Sequence, residues 1–163
     1  MRGHQYLTLA VSLFVVGCAQ NGSQLNPAGG LSKEGLARKV KKVRTTAYTG
    51  SEGSHYNAIG SRLQAAKLSS AAADWSRFPF GTKFRLLDTN QTYVVDDYGA
   101  ALVGTETIDL YMPTRHLMRQ WGVRHVNIEV IEPGSYTKSL DILRPRKRLP
   151  YVRRMVNDLQ KKL

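Results

Sequence analysis

The sequence predicts a mainly β fold, a small closed barrel of six short strands with one helix before the last strand. Three observations lead to this prediction. The middle of the 163-residue chain contains six short runs of β-branched, aromatic or small residues. One of these runs alternates strictly between apolar and polar positions, which is typical of a half-buried strand. A cluster of turn-forming residues joins two other runs as a hairpin.

Each predicted strand has its own signal in the sequence. The first is β-branched and aromatic, and the second consists of small residues that suit a buried strand. The third and fourth flank Asp88-Thr89-Asn90, a hairpin signal, and the fifth is short and apolar. The sixth has the period of two described above. The predicted strands are residues 43–49, 66–72, 82–87, 91–96, 107–111 and 125–131.

Two helices are predicted beside the strands. The first covers residues 113–121, where Leu117, Met118 and Trp121 share one helical face and Gly122 is a natural stop. We expect this face to pack in the core. The second begins near Pro150, and it docks either on the barrel or on another surface. Its apolar residues at helical spacing are Val152, Met155, Val156, Leu159 and Leu163.

The start of the chain predicts export and lipid attachment. A short positive region precedes an apolar run, residues 7–16, which is too short to span a bilayer as a helix. The following Gly17-Cys18-Ala19 resembles a bacterial lipobox, and Cys18 is the only cysteine. We therefore expect residues 1–17 to be a lipoprotein signal peptide, with lipid attached at Cys18. Ala19, where an aspartate would indicate inner-membrane retention, favours the periplasmic face of the outer membrane.

Composition divides the rest of the chain into three parts. Residues 18–42 are rich in small and polar residues and then in lysine and arginine, which predicts a flexible basic tether. Residues 43–132 hold the strands and form the predicted barrel domain. Residues 133–163 form a basic C-terminal extension that is partly helical. We expect a monomer.

The positive charge lies mainly outside the barrel. The formal net charge is +12, and lysine and arginine are concentrated before and after the strands. A basic chain is compatible with nucleic-acid binding. The export signal argues against it, so no nucleic-acid partner is expected. Peptidoglycan carboxylates and anionic outer-membrane lipids are polyanions of the envelope that such flanks would attract, and a merely solubilising surface is the alternative.

Three aspartates are the candidate catalytic residues. Asp97 and Asp109 each follow a short apolar run, and Asp74 lies in a segment of small residues. Partial burial raises the pKa of a carboxyl and makes it a candidate general acid. The alternative is that such residues form Asx turns. We expect the three to meet in one open groove.

No cofactor or metal is predicted. The four histidines show no spacing typical of metal ligands, and the single cysteine adds none. Phosphate-binding loops and nucleophile elbows are also not found in the sequence.

Several separated motifs together resemble the three-aspartate (3D) domain family. The resemblance extends from about residue 43 to residue 131. That family is similar to the catalytic barrel of membrane-bound lytic murein transglycosylase A, and the resemblance implies a six-stranded double-psi β-barrel. The motifs, in family order, are Thr46-Ala47-Tyr48-Thr49, Ala71 to Asp74, Phe78 to Thr82, Asp97-Tyr98-Gly99, Gly104 and Ile108-Asp109-Leu110-Tyr111.

The resemblance also implies an activity and a set of site residues. Asp109 becomes the main catalytic candidate, with Asp97 and Asp74 as the other family aspartates. Lytic transglycosylases cleave between N-acetylmuramic acid and N-acetylglucosamine and leave 1,6-anhydro ends. The alternatives are a non-catalytic peptidoglycan-binding envelope lipoprotein and a structural envelope protein. The expected substrate-binding residues are Thr46, Tyr48, Tyr98, Gly99 and Tyr111, and Trp75 is a further candidate for stacking on sugars.

Replacing Cys18 with alanine should release the protein from the membrane fraction without unfolding it, because the lipid is the only predicted anchor. The measurement is membrane pelleting at high salt, followed by circular dichroism of the released protein. Continued pelleting of the variant under these conditions would contradict the lipoprotein prediction.

Overall fold

Six strands close into a barrel in the computed structural model, which describes residues 39–163. The order around the barrel is β1–β5–β2–β4–β3–β6, so the prediction of a mainly β closed barrel is confirmed. The predicted signal peptide, Cys18 and the tether up to residue 38 lie outside the described residues. The strands are β1 (Lys39–Tyr48), β2 (Leu68–Ala72), β3 (Lys83–Leu86), β4 (Thr92–Asp97), β5 (Thr107–Tyr111) and β6 (Arg124–Glu132).

The barrel mixes parallel and antiparallel pairs. β1 runs parallel to β5, and β2 runs parallel to β4, whereas the other four contacts around the barrel are antiparallel. Parallel neighbours cannot be joined by a tight hairpin, so each pair is connected by a long crossover. The double-psi arrangement of these crossovers stays a prediction from the family resemblance.

The first strand is longer than predicted. It begins at Lys39, and its pairing with β6 extends to the register pair Lys39–Val130. Residues 39–42, which were predicted to belong to the tether, therefore form part of the barrel. The charged side chains of Lys41 and Lys42 hide the strand pattern, but both are at least partly exposed, and Lys41 forms an ion pair of 3.0 Å with Glu106.

The hairpin between β3 and β4 forms where it was predicted. Asn90 adopts a left-handed backbone with φ of 57°, a conformation that asparagine tolerates better than most residues. Its backbone N–H donates a 2.8 Å hydrogen bond to the carbonyl of Leu86. Turn chemistry thus sets the antiparallel register of this pair.

Helix α1 (Arg115–Trp121) forms as predicted, but only part of its apolar face contacts the core. Thr114 caps its first turn, and none of its residues is buried. Leu117 is 40% exposed, so the expectation of core packing was wrong for this residue. Trp121 is partly buried and packs against the core, and its indole N–H donates a 3.2 Å hydrogen bond to the Thr45 hydroxyl on β1.

The C-terminal extension packs on the barrel through two helices, α2 (Tyr136–Leu143) and α3 (Pro150–Gln160). Only α3 was predicted. The Phe80 N–H donates a 2.8 Å hydrogen bond to the Ser139 hydroxyl and so joins α2 to the loop before β3. Gly134 permits this approach, because a side chain there would collide with the carbonyl of Pro79. The apolar face of α3 joins the barrel core. No helix in residues 39–163 has the length and apolar character that crossing a bilayer requires.

Replacing Met155 with alanine should lower the free energy of unfolding by about 2–5 kcal/mol, since its fully buried side chain leaves a cavity. The exposed Gln160→Ala on the same helix is the matched control, and we expect it to change stability by less than about 0.5 kcal/mol. Urea unfolding followed by tryptophan fluorescence measures both. Equal stability of the two variants would mean that α3 does not contribute to the cooperative core.

Candidate active site

A row of four residues crosses four neighbouring strands and forms one side of an open groove of about 530 Å³. Thr46 on β1 pairs with Asp109 on β5, Asp109 pairs with Ala72 on β2, and Ala72 pairs with Asp97 on β4. Side chains of paired residues on adjacent strands lie on the same face of a sheet. With β2 between them, the backbones of Asp97 and Asp109 are about 10 Å apart.

A β-bulge decides which aspartate of β4 enters this row. Ala71 pairs with Val95, but the register then shifts so that Ala72 pairs with Asp97. Asp96 is the extra residue that the shift leaves out of the ladder, and bulges reorient side chains in this way. Regular pairing would have placed Asp96 opposite Ala72.

Asp109 faces the groove because its neighbours anchor the strand. Ile108 and Leu110 are fully buried, so strict alternation turns Asp109 to the other face. Its Oδ1 accepts a 2.6 Å hydrogen bond from the hydroxyl of Thr46. This contact fixes the orientation of the carboxyl within the groove.

Asp97 is half-buried, and its carboxyl has a pKa above that of an ordinary aspartate. Burial raises the pKa of Asp97 to about 6, and the adjacent charge of Asp96 also raises it. Hydrogen bonds act in the opposite direction: from the Tyr98 N–H at 2.9 Å from Oδ1, from the Tyr48 hydroxyl at 3.4 Å from Oδ2, and from the backbone of Ala58. A carboxyl with this pKa exchanges a proton close to neutral pH.

Tyr48 lies among three carboxyl groups. Burial raises its pKa, and the charges of Asp97, Asp96 and Asp109 raise it further. The phenol therefore stays protonated and acts as a hydrogen-bond donor to Asp97. Its ring contacts Tyr111 edge-on at 5.6 Å between centroids.

Asp74 does not lie in the groove, so the expectation that the three predicted aspartates meet there was wrong for this residue. It is 1% exposed. Its Oδ1 accepts hydrogen bonds from the Ser76 N–H and hydroxyl at 2.8 and 2.7 Å, and its Oδ2 accepts one of 2.6 Å from the Gly104 N–H. Asp74 therefore forms an Asx turn, which was the alternative to a catalytic role. Its contact with Gly104 holds the loop that follows β4 against the turn after β2.

Asp96 is the site residue that sequence reasoning missed. It is buried, and its Oδ2 accepts hydrogen bonds from Asn57 Nδ2 at 2.9 Å and the Ser70 hydroxyl at 2.8 Å. Within residues 39–163 its Oδ1 has no hydrogen-bond partner, and burial raises its pKa. Asp96 thereby ties the turn at residues 57–61 to β2, beside the groove. The sequence feature that could have pointed to this contact is Asn57, which begins an Asx-type turn.

The C-terminal extension supports one wall of the groove. Tyr98 lines the groove, and its ring contacts Trp75 at 5.1 Å and Tyr151 of α3 at 6.3 Å between centroids. Arg146 donates hydrogen bonds to the Tyr98 hydroxyl at 3.3 Å and to the carbonyl of Ala58 at 2.7 Å. Residues outside the barrel thus position a residue of the groove.

The predicted substrate-binding residues divide into two groups. Thr46, Tyr48, Tyr98 and Gly99 line the groove. Tyr111 is outside the groove lining that the described residues form, and it packs against Tyr48. Trp75 is fully buried, so its ring has no free face for a sugar.

Two further features were not anticipated from the sequence. Arg44 places a guanidinium at the groove, where it donates a 3.1 Å hydrogen bond to the Thr107 hydroxyl. A second pocket of about 240 Å³ shares Tyr48 and Asp97 with the groove and is also lined by Tyr56. Asp97 therefore stands between two adjoining depressions. Among residues 39–163, no group of three or more histidine, cysteine or acidic side chains is arranged to hold a metal ion.

Comparison with known protein families gives one match. Residues 69–132 match the family model described as the 3D domain, which is less than half of the 163 residues. The match includes Asp74, Asp97 and Asp109, whereas Thr46 and Tyr48 on β1 lie before it. No curated protein matches the sequence. The 3D domain is consistent with a function related to peptidoglycan.

The carboxyl of Asp97 should titrate with a midpoint near 6 in a ¹³C NMR experiment, with Asp97→Asn used to assign its signal. Tyr48→Phe removes a hydrogen bond that lowers this pKa, so the midpoint should rise. Tyr111→Phe is the matched control and should leave it unchanged. A wild-type midpoint near 4 would contradict the burial of this carboxyl.

The same titration should appear in the stability of the protein. Since the folded-state pKa of about 6 lies above the reference value of 3.8, the protonated carboxyl favours folding. This contribution is complete below the lower value and is lost as the pH rises through the higher one. Urea unfolding should therefore show the wild type losing stability relative to Asp97→Asn between these pH values.

Proposed function

Because this chain carries a 3D domain over residues 69–132, we propose that it is a lytic transglycosylase that cleaves peptidoglycan glycan strands. The bond is the one between N-acetylmuramic acid and N-acetylglucosamine, and the products have 1,6-anhydro ends. The observation that supports this best is the pair Asp97 and Asp109 in one open groove, beside a protonated Tyr48.

The shape of the site suits a polymer. The groove and the smaller pocket adjoin at Tyr48 and Asp97, so the depression continues past these residues in two directions. A strand bound along it would occupy both the groove and the smaller pocket. Tyr48, Tyr98 and Tyr56 offer aromatic surface at the groove and its continuation, which suits the apolar faces of sugar rings.

The reaction needs one acid–base residue, and we assign this role to Asp109. As an acid it protonates the oxygen that leaves with N-acetylglucosamine while the glycosidic bond breaks. As a carboxylate it then takes the proton of the muramoyl 6-hydroxyl as that oxygen bonds to its own anomeric carbon. Because the nucleophile belongs to the substrate, no second carboxylate is required to activate water. The Thr46 hydroxyl holds the carboxyl in place.

Asp97 supports this chemistry through its proton and its charge. With a pKa of about 6 it donates a hydrogen bond to a bound sugar when protonated and accepts one when ionised. The ionised form also places a negative charge in the groove that contains Asp109. Tyr48 contacts Asp97 directly and joins the two parts of the depression.

Arg44 supplies the recognition of acidic groups. Muramic acid carries a lactyl carboxyl, and the peptide stems attached to it carry further carboxylates. A guanidinium binds a carboxylate through two parallel hydrogen bonds, which fixes the orientation of the group as well as its position. Arg44 lines the same groove as Asp109 and so would orient a muramoyl residue toward it.

The cellular setting of this proposal rests on the first residues of the chain. Lipid attachment at Cys18 would hold the protein at the periplasmic face of the outer membrane, within reach of peptidoglycan. Nucleic acid is not among the proposed partners, and the protein acts as a monomer. A non-catalytic peptidoglycan-binding lipoprotein is the alternative. The buried position of Asp74 favours this alternative, because one of the three family aspartates stabilises a loop and does not reach the groove.

Asp109→Asn should reduce cleavage of purified glycan strands by about 10²-fold or more, since it removes a positioned acid–base group. Mass spectrometry should find anhydro-ended products, lighter by one water than hydrolysis products, with the wild type. Glycan binding should persist in the variant because the groove is unchanged. Asp74→Asn is the control: it should lower stability, by leaving buried N–H groups poorly paired, and keep the activity of the folded fraction.

Two outcomes would change the proposal. Ordinary reducing ends, together with an equal loss of activity in Asp97→Asn and Asp109→Asn, would indicate hydrolysis by two carboxyl groups. Binding of glycan by the wild type without cleavage would instead support the non-catalytic binding module.

A further inference from the structure

The C-terminal extension contains a second concave surface, which we call the basic cleft. It has a volume of about 460 Å³ and lies between the short turn that starts at Arg144 and helix α3. None of the residues that line it also lines the groove. Its polar lining consists of Arg144, Lys147, Arg148 and Arg153, with Asn157 and Gln160.

Three cations of the extension that lie outside the cleft already have hydrogen-bond or ion-pair partners. Arg146 is hydrogen-bonded to the groove wall, Lys161 pairs with Asp158 at 3.1 Å, and Lys162 donates to the carbonyl of Ser76. Within residues 39–163, by contrast, the four cations of the cleft form no ion pair and no side-chain hydrogen bond. No acidic residue stands in the first turn of α3 to compensate them.

The backbone holds these unpaired charges together. The turn is closed by hydrogen bonds from the Lys147 N–H to the Arg144 carbonyl at 3.4 Å and from the Leu149 N–H to the Arg146 carbonyl at 3.2 Å. In a 3-10 turn, residues three apart lie one above the other, which places Arg144 and Lys147 on one face. Arg148 follows them and also lines the cleft. On the α-helix α3, residues three and four apart share a face, which applies to Arg153, Asn157 and Gln160.

The opposite face of α3 is packed and leaves the cleft little freedom to rearrange. Val152, Met155 and Leu159 are fully buried in the core. Because this apolar face is used inside the protein, α3 has no apolar surface to insert into a bilayer. Like charges held close together on such a support repel one another, and a bound polyanion would remove this repulsion.

From this arrangement we propose that the basic cleft binds a ligand with clustered phosphate groups. Three guanidinium groups match phosphate oxygens through paired hydrogen bonds, and a lysine adds a compact charge. The amides of Asn157 and Gln160 supply neutral donors. A concave site favours a discrete multivalent group over a flat charged surface, and this group belongs either to a free polyphosphate or to a phospholipid headgroup.

The test measures binding of tripolyphosphate to the full chain by isothermal titration calorimetry. The wild type should bind, and Arg148→Gln/Arg153→Gln should bind about tenfold more weakly or worse, because hydrogen bonds between charged groups are lost. Lys67→Gln/Arg119→Gln removes the same charge from two exposed residues outside the cleft lining. This control should stay within about twofold of the wild type. Equal unfolding midpoints would show that both variants fold.

A second arm distinguishes the two sources of phosphate. Vesicles that contain cardiolipin, whose headgroup carries two phosphates, would assign the lipid headgroup if they bind the wild type and the control but not the cleft variant, and if they compete with tripolyphosphate. Cleft-dependent binding of tripolyphosphate without vesicle binding would assign a free polyphosphate. Equal weakening in the cleft variant and the control, or no binding of either probe by the wild type, would overturn the proposal. Glycan cleavage is not measured, so these outcomes are independent of the proposed function.

Discussion

The position of Ala72 between two aspartates is the constraint on which the groove depends. Its strand is antiparallel to β5 and parallel to β4, so one residue pairs with Asp109 on one side and Asp97 on the other. Ala72 can pair with both aspartates only because the β-bulge leaves Asp96 out of the strand pairing. The small side chain of Ala72 leaves the space above the row open, and a larger residue would fill the groove between the carboxyl groups.

Two buried carboxyl groups, Asp74 and Asp96, hold the loops around this row. Asp74 binds backbone N–H groups of the turn after β2 and of Gly104, and Asp96 binds the side chains of Asn57 and Ser70. A buried polar group that keeps its partners imposes one geometry on the loops that supply them. The groove is therefore shaped by aspartates that do not face it, as well as by those that do.

Much of the barrel was predictable, because each strand carries local signals that its tertiary setting reinforces. Residues 107–111 and the Asn90 hairpin formed as expected. The start of β1 was not predictable, since its exposed lysines do not show the alternation of apolar and polar residues that indicates a strand. Asp97 and Asp109 could be named from motifs, but the burial of Asp74 depends on a loop 30 residues away, at Gly104. The bulge at Asp96 arises from strand register, which the local sequence does not encode.

The closure of the barrel through β1 and β6 has a consequence for how the protein is made. Thr45 pairs with Arg124 and Lys39 with Val130, so the first strand has no partner on that side until about 80 to 90 further residues are available. Folds with such distant pairings search longer before they form, on a scale of about milliseconds to seconds. Until then the edge of β1 is open to pairing with other chains. A chain that is threaded through a membrane before it folds would avoid this exposure in the crowded compartment where it is synthesised.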